Sequence, residues 1–297
     1  MKSLVVAILN DQELAEYVGK KGSTNGVAFY NRKLPDATIT ALYPTDFEDK
    51  PYAAAQAMLM ADVLVISTRN IDSVFGESLV GAALLGKDIL LTDDNDVTKM
   101  VSNIGAMTVN TIGRDELLES IGSHEKTADG NGVRIVIDRA FPVKGIGTVL
   151  LGIVRSGVLR KHGTLFSSGG KEISVRSIQS QDVDIDSAEP GTRVGISVKG
   201  VESDDIDKGE ILSDVPIKRV SDVKAMITIS PAVKDAALGS GDYVFVSGFS
   251  VTNARIKSVD GGHLITLEKP LPVSGGEPFL LLRRGKPRIF AVGKTVV

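Results

Sequence analysis

The stretch FPVKGIGTVLLGIVRSG, residues 141–157, decides how the rest of the chain is read. Apolar residues alternate into it from Ile135 and Ile137, and the chain turns at Lys144 and Gly145. A second apolar run over 148–154 then ends at Arg155, Ser156 and Gly157. Two β-rich runs joined by glycine turns predict a hairpin, because glycine supplies the backbone angles that a tight turn requires. Downstream, short runs led by Gly163, Ile173, Gly191 and Lys208 repeat the pattern at the spacing of a small closed β-barrel.

Outward from that stretch, the 297 residues leave room for two or three domains. With 42% hydrophobic and 24% charged residues the composition is that of a soluble globular protein. No apolar run approaches the roughly 20 residues of a membrane span, and no basic-then-apolar leader stands at Met1. A cytoplasmic location without a membrane partner is expected. The chain has no cysteine, which excludes disulfides, thiolate metal sites and a cysteine nucleophile. His124, His162 and His263 lie far apart, outside any metal-ligand spacing. No paired general acid and base and no Ser-His-Asp set stands out, so no catalytic, cofactor or metal residue is assigned.

Charge is distributed unevenly. Lys and Arg against Asp and Glu number 10 against 18 in residues 1–125, 12 against 13 in 126–215, and 12 against 6 in 216–297. A basic face able to meet a phosphate backbone therefore belongs at the C-terminal end.

Residues 1–122 alternate strand and helix, which predicts an α/β domain with a mainly parallel sheet. Residues 4–9 form a continuous apolar run suited to a strand buried on both faces, with a helix over 12–18 behind it. A strand over 38–43 precedes a helix that Pro51 opens. Strands over 63–67, 88–92 and 107–112 then alternate with helices over 77–85, 97–104 and 115–121, which Gly86, Gly105 and Gly122 end. The GKKGST stretch at 19–24 reads either as a solvated basic turn at the end of the first helix or as a recognition loop presenting Lys20 and Lys21. Residues 123–132, SHEKTADGNG, are polar, glycine-rich and aperiodic, as in a linker. The barrel occupies 133–215. From Pro216 to the end, six further strand-like runs predict a second barrel over 216–297. Arg283, Arg284, Lys286 and Arg288 crowd one of its turns, either a solvated hairpin tip or a phosphate-contacting loop.

The motifs F-x-V, G-x-G-T-V, V-R-S-G, A-E-P-G-T-R-V-G-I, V-K-G-V and D-I-x-K-G follow one another between Phe141 and Gly209. In this order the central region resembles the second domain of the elongation factor Tu superfamily of translational GTPases. In detail it is similar to the selenocysteine-specific factor SelB and its archaeal SelB-like relatives. The segment ADVLVIS, 61–67, and the LLGKDILL run, 84–91, sit where that family's GTPase domain carries equivalent strands. GDYVFVSG at 241–248 and RIFAVGK at 288–294 resemble the third domain of SelB.

The resemblance implies a nucleotide site whose chemistry is missing here. A phosphate-binding loop needs glycines, backbone amides, a lysine and a Ser or Thr for Mg2+. After Leu9 the chain has NDQELA at 10–15, with two carboxylates and neither Gly nor Lys. The family's D-x-P-G-H is replaced by YPTDF at 43–47, and the guanine-reading N-K-x-D by TDDND at 92–96. Gly293, Lys294 and Thr295 imitate the end of a phosphate loop, but Arg288 stands where its first glycine belongs.

The expected protein is a SelB-like homologue that has lost GTP binding and hydrolysis and is not an enzyme. It would bind RNA, tRNA or ribosome-associated, through its two barrels, with Arg283, Arg284, Lys286 and Arg288 as candidate contacts. No cofactor and no DNA partner is expected. A divergent GTPase that still acts in elongation, and an interaction module on which a translation factor or ribosomal protein docks, stay open as alternatives.

Overall fold

The computed structural model describes residues 2–93, 95–104, 109–125, 132–233, 238, 241–273 and 275–296. Among the described residues, the first 123 hold seven strands and five helices: β1 (Lys2–Leu9), α1 (Gln12–Val18), β2 (Lys20–Asn25), β3 (Val27–Lys33), β4 (Ala37–Pro44), α2 (Pro51–Met60), β5 (Val63–Ser67), α3 (Ser73–Leu85), β6 (Ile89–Thr92), α4 (Thr98–Ile104), β7 (Val109–Ile112) and α5 (Leu117–Ser123). The sheet order is β2-β3-β4-β1-β5-β6-β7. From β4 to β7 every pairing is parallel, while β2, β3 and β4 form an antiparallel meander.

The apolar run in β1 is buried on both faces as expected, and the period of two divides it. Leu4, Val6 and Ile8 meet α1 and α5, whereas Val5, Ala7 and Leu9 meet α2 and α3. Two elements differ from expectation. The 19–24 stretch is no loop: β2 pairs through Lys20↔Asn31 and Lys21↔Tyr30, with an irregularity before Thr24. Helix α3 begins at Ser73, not 77, because the Asp72 side chain accepts the Phe75 N–H at 2.9 Å and caps the helix. The expected strand over 107–112 and the glycine stop at Gly105 fall partly or wholly outside the described residues. So do 126–131 of the expected linker, and α5 already occupies Ser123.

The central region contains β8 (Arg134–Val143), β9 (Gly147–Ser156), β10 (Leu159–Arg160), β11 (Thr164–Ser167), β12 (Glu172–Ser180), β13 (Val183–Ile185), β14 (Ser187–Ala188), β15 (Arg193–Lys199) and β16 (Ile211–Ser213). The order β11-β16-β8-β9-β15-β12 closes through the β11–β12 pairing into a six-stranded barrel. The hairpin that opened the sequence reading is β8–β9, turning between Val143 and Gly147. A second closed barrel follows, β17 (Arg219–Ile229), β18 (Asp242–Ser247), β19 (Ser250–Val259), β20 (Gly262–Pro272), β21 (Pro278–Leu282) and β22 (Ile289–Val296), in the order β17-β20-β19-β18-β21-β22.

The three units share one apolar core. Apart from Gln56, helix α2 is apolar from Ala53 to Met60, and every residue in that span is buried. Such a helix has no wet face to offer and must be covered on several sides. The sheet covers one side, and β18 and β21 of the C-terminal barrel cover another. The same cluster takes in Val136, Ile153 and Ile211 from the central barrel and Val246, Phe249, Leu280 and Ile289 from the C-terminal one. At the meeting point Phe29 packs edge-on against Phe249 with ring centres 5.9 Å apart, and Gln56 donates to the Phe249 carbonyl at 2.5 Å. Lys208 completes the junction, donating to the Asn25 carbonyl at 2.7 Å and to Gln56 Oε1 at 3.1 Å. Burial pushes the Lys208 amine below its ordinary value, against the pull of Asp138.

Gly209 shows how closely the barrels meet. At φ 90° it lies in the left-handed region, and a β-carbon there would come within 2.5 Å of the Ser250 nitrogen and 2.6 Å of its Cα. Gly209→Ala is expected to destabilise the chain by about 1–3 kcal/mol through backbone strain and overpacking. Urea unfolding checks it; a change under about 0.5 kcal/mol would mean that the barrels part freely.

Candidate functional site

In open α/β sheets ligands bind at the carboxyl ends of the parallel strands. Here that edge is formed by the ends of β1, β5 and β6, and its polar groups bind one another. Leu9 is followed by Asn10 at φ 68°, whose amide donates to the carbonyls of Asn70 at 2.6 Å and Ser67 at 3.2 Å. Asp11 caps α1, accepting the Leu14 N–H at 3.0 Å. The Ser67 hydroxyl lies 2.7 Å from Asp93 Oδ2 and 3.3 Å from Asp11 Oδ2. Arg69 pairs with Glu13 at 2.8 Å and reaches Asp11 at 3.6 Å. That hydrogen bond and charge hold the Glu13 carboxyl below its ordinary value and raise Arg69 in return.

The amide that a phosphate would seek at the start of α1 thus faces a carboxylate of its own chain. The guanidinium of the region is likewise committed to carboxylates. Beside this edge a crevice of about 310 Å³ is lined by Asn10, Tyr43, Thr45, Asp46, Phe47 and Glu48, so its ionisable groups are acids and a phenol. These residues do not fit a magnesium-bound nucleoside triphosphate, because negative charge meets negative charge and no cation is free to offset it among the described residues.

The basic turn between β21 and β22 does something other than present four cations. Arg288 is buried, against the expectation that it contacts phosphate. Its Nε lies 3.1 and 3.0 Å from the two oxygens of Glu77 on α3, its backbone N–H donates to Glu77 Oε1 at 3.1 Å, and Nη1 donates to the Glu48 carbonyl. Lys286 donates to Ser73 Oγ at 2.8 Å and stands 3.8 Å from Glu48. Arg283 donates to the Gly285, Lys286 and Pro287 carbonyls of its own turn, with its guanidinium 5.5 Å from the Phe290 ring centre. Arg284 is exposed with no partner among the described residues. The turn is therefore a clasp on the α/β unit, which the sequence could not reveal because Glu77 lies 211 residues away.

Arg283 and Arg284 nonetheless line a groove of about 780 Å³ between the start of α2 and the C-terminal barrel. Tyr52 stands on the α2 wall, and Tyr243 and Arg255 face it from β18 and β19. Asp49, Asp242 and Glu268 also line it; Asp242 stands 3.5 Å from Arg255, and Glu268 accepts from Asn253 at 2.6 Å. Nothing in the sequence singles out Tyr52, Tyr243 and Arg255, since only folding brings the three elements together.

Lys20 and Lys21 are exposed on β2. The neighbouring positions of that strand dock on the central barrel. Arg193 Nη2 donates to Ser23 Oγ at 3.2 Å, Arg139 to the Thr24 carbonyl at 3.1 Å, and Asn25 to the Asp138 carbonyl at 3.1 Å.

A family profile described as Elongation factor Tu domain 2 matches residues 147–213, inside the central barrel. An uncharacterized protein of Methanocaldococcus jannaschii is 28% identical over 99% of this chain and 100% of its own length. The selenocysteine-specific elongation factor of that organism is 30% identical over 64% of this chain and 43% of its own length, so the match takes in less than half of that factor. The crystal structure of translation elongation factor SelB from Methanococcus maripaludis, in complex with the GTP analogue GppNHp, has a TM-score of 0.82. It covers 100% of this chain and 79% of that one at 20% identity, a likeness of fold. The α/β unit followed by two six-stranded barrels is thus a fold this chain shares with that elongation factor. In fold the chain is SelB-like, and over residues 147–213 it is similar to elongation factor Tu domain 2.

Proposed function

We propose that this SelB-like protein is a cytoplasmic, translation-associated RNA-binding factor that works without guanine nucleotide. The observation that carries the reading is the carboxyl edge of the sheet, where Asp11, Asp93, Ser67 and Arg69 satisfy one another in a chain that keeps all three units. RNA is the proposed partner because the C-terminal unit is basic and its groove joins arginines to the half-buried Tyr52, Tyr243 being stacked inside the barrel on Phe290. Guanidinium groups meet phosphates, and aromatic rings stack on unpaired bases. Arg284, Arg283 and Arg255 are the proposed phosphate contacts.

Calorimetry with GTP or GDP and Mg2+ is expected to show no saturable heat at micromolar concentration, where the binding free energy would be about 8 kcal/mol. Magnesium-dependent binding in the low micromolar range would support a divergent GTPase instead. For RNA, a salt titration of tRNA binding is the decisive measurement. Arg284→Ala combined with Arg255→Ala should weaken binding and flatten the log-log salt slope by about 0.9 for each phosphate no longer neutralised. An unchanged slope and affinity would remove the groove from the interface.

A further inference from the structure

The outer wall of the C-terminal barrel carries a second surface, made of lysines set among apolar side chains. Lys257, Leu264, Lys224 and Val296 stand side by side on β19, β20, β17 and β22, as their strand pairings place them. Two residues further along β17, Met226 pairs with Lys294, which in turn pairs with Pro278. With strands about 4.8 Å apart and about 6.7 Å between same-face residues, the patch measures roughly 15 by 7 Å. Met226 is 60% and Val296 54% exposed, unusual for apolar side chains of that size on a barrel wall. Lys224, Lys257 and Lys294 are exposed and have no partner among the described residues. On the same wall Asp222, two residues before Lys224 on β17, accepts from Thr266 at 2.8 Å. Gly262 keeps the patch low: a β-carbon there would come within 3.3 Å of the Met226 sulfur, which lies across the bare backbone.

We infer that this face docks a protein segment in which carboxylates alternate with apolar side chains. The charge pattern requires an anionic partner, and the apolar members select its class. A phosphate backbone offers no apolar surface to bury against Met226 and Val296. The patch has neither the arginines that grip phosphates in two places nor the aromatic rings on which bases stack. Methionine is the side chain that adapts to a partner's irregular apolar surface, and lysine stems cover such contacts while keeping the charge outside. This surface is distinct from the arginine and tyrosine groove, and the inference stands or falls independently of RNA binding there.

The test is fluorescence anisotropy with the whole chain and three labelled probes: a peptide of about ten residues alternating Glu and Leu, the same peptide with Ser for Leu, and an RNA hairpin. The Glu/Leu peptide should bind about tenfold or more tightly than the Glu/Ser peptide. Met226→Ser with Val296→Ser should erase most of that difference, and Lys224→Glu with Lys294→Glu should weaken both peptides about tenfold or more. All four positions are exposed, and unchanged unfolding midpoints will confirm that the variants fold. Absence of saturable Glu/Leu binding, or affinity indifferent to these substitutions, overturns the inference. If the hairpin instead displaces the peptide and loses affinity in the same variants, the face belongs to RNA and the inference is equally overturned.

Discussion

Glu77→Ala should unfold this chain at markedly lower urea concentration, a loss of about 3–5 kcal/mol, the size seen when one partner of a buried ion pair is removed. Glu77 and Arg288 are both buried, and Glu77 takes the Arg288 side chain and backbone N–H together. Its removal strands a guanidinium with little water beside the Phe47 ring. The double variant Glu77→Leu with Arg288→Met should cost far less, since apolar groups of similar volume often replace a buried pair without penalty. Because α3 and β22 share one apolar cluster with the sheet, the loss should appear as a shift of a single transition. A separate early transition of the α/β unit, with the barrels unaffected, would contradict the shared core.

The second large effect is expected at Arg193. Its guanidinium binds both oxygens of Asp138, which is 1% exposed, donates to Ser23 across the joint, and lies 3.9 Å from the Phe29 ring centre. Arg193→Ala leaves the Asp138 carboxylate buried alone and should also cost about 3–5 kcal/mol. Arg193→Lys keeps the charge but loses the two-pronged geometry and the stacking, so an intermediate loss is expected. Limited proteolysis gives a second readout, because β2 should become more cleavable once its Ser23 tie to the central barrel is cut, leaving those of Thr24 and Asn25. Equal stability of all three proteins in urea would show that the pair contributes nothing.

Much of the fold was legible because glycine turns and alternation are local signals. The stretch GDYVFVSG at 241–248 holds β18 over Asp242–Ser247, and the opening hairpin turned where its glycines indicated. Strand β2 was not legible, because KKGSTN has no apolar face and owes its place to pairing with β3 and to the barrel beside it. Strand β3 does carry a signal, the run Val27, Ala28, Phe29 and Tyr30 after Gly26, although a simple alternation of helix and strand leaves no place for it. At the candidate sites the loss of glycine and lysine after Leu9 could be read directly. What replaced them could not, since Ser67 and Asp93 arrive from the ends of two other strands. Four clustered positive charges looked like one surface, yet three are engaged, Arg283 by carbonyls of its own turn, and Lys286 and Arg288 by the chain-distant Ser73 and Glu77 of α3.

The burial of α2 from Ala53 to Met60 also bears on how the chain is made. Synthesis delivers residues 51–60 long before Val246, Phe249 and Leu280, the side chains that cover them, leave the ribosome. At roughly 5–20 residues per second, that interval of about 190 residues lasts some 10–40 seconds. During it the nascent α/β segment would carry an oily ridge with no mate, a natural substrate for chaperones. A nascent chain halted near residue 130 should therefore be the most chaperone-bound and protease-sensitive of a length series, and a chain extended past β21 the least.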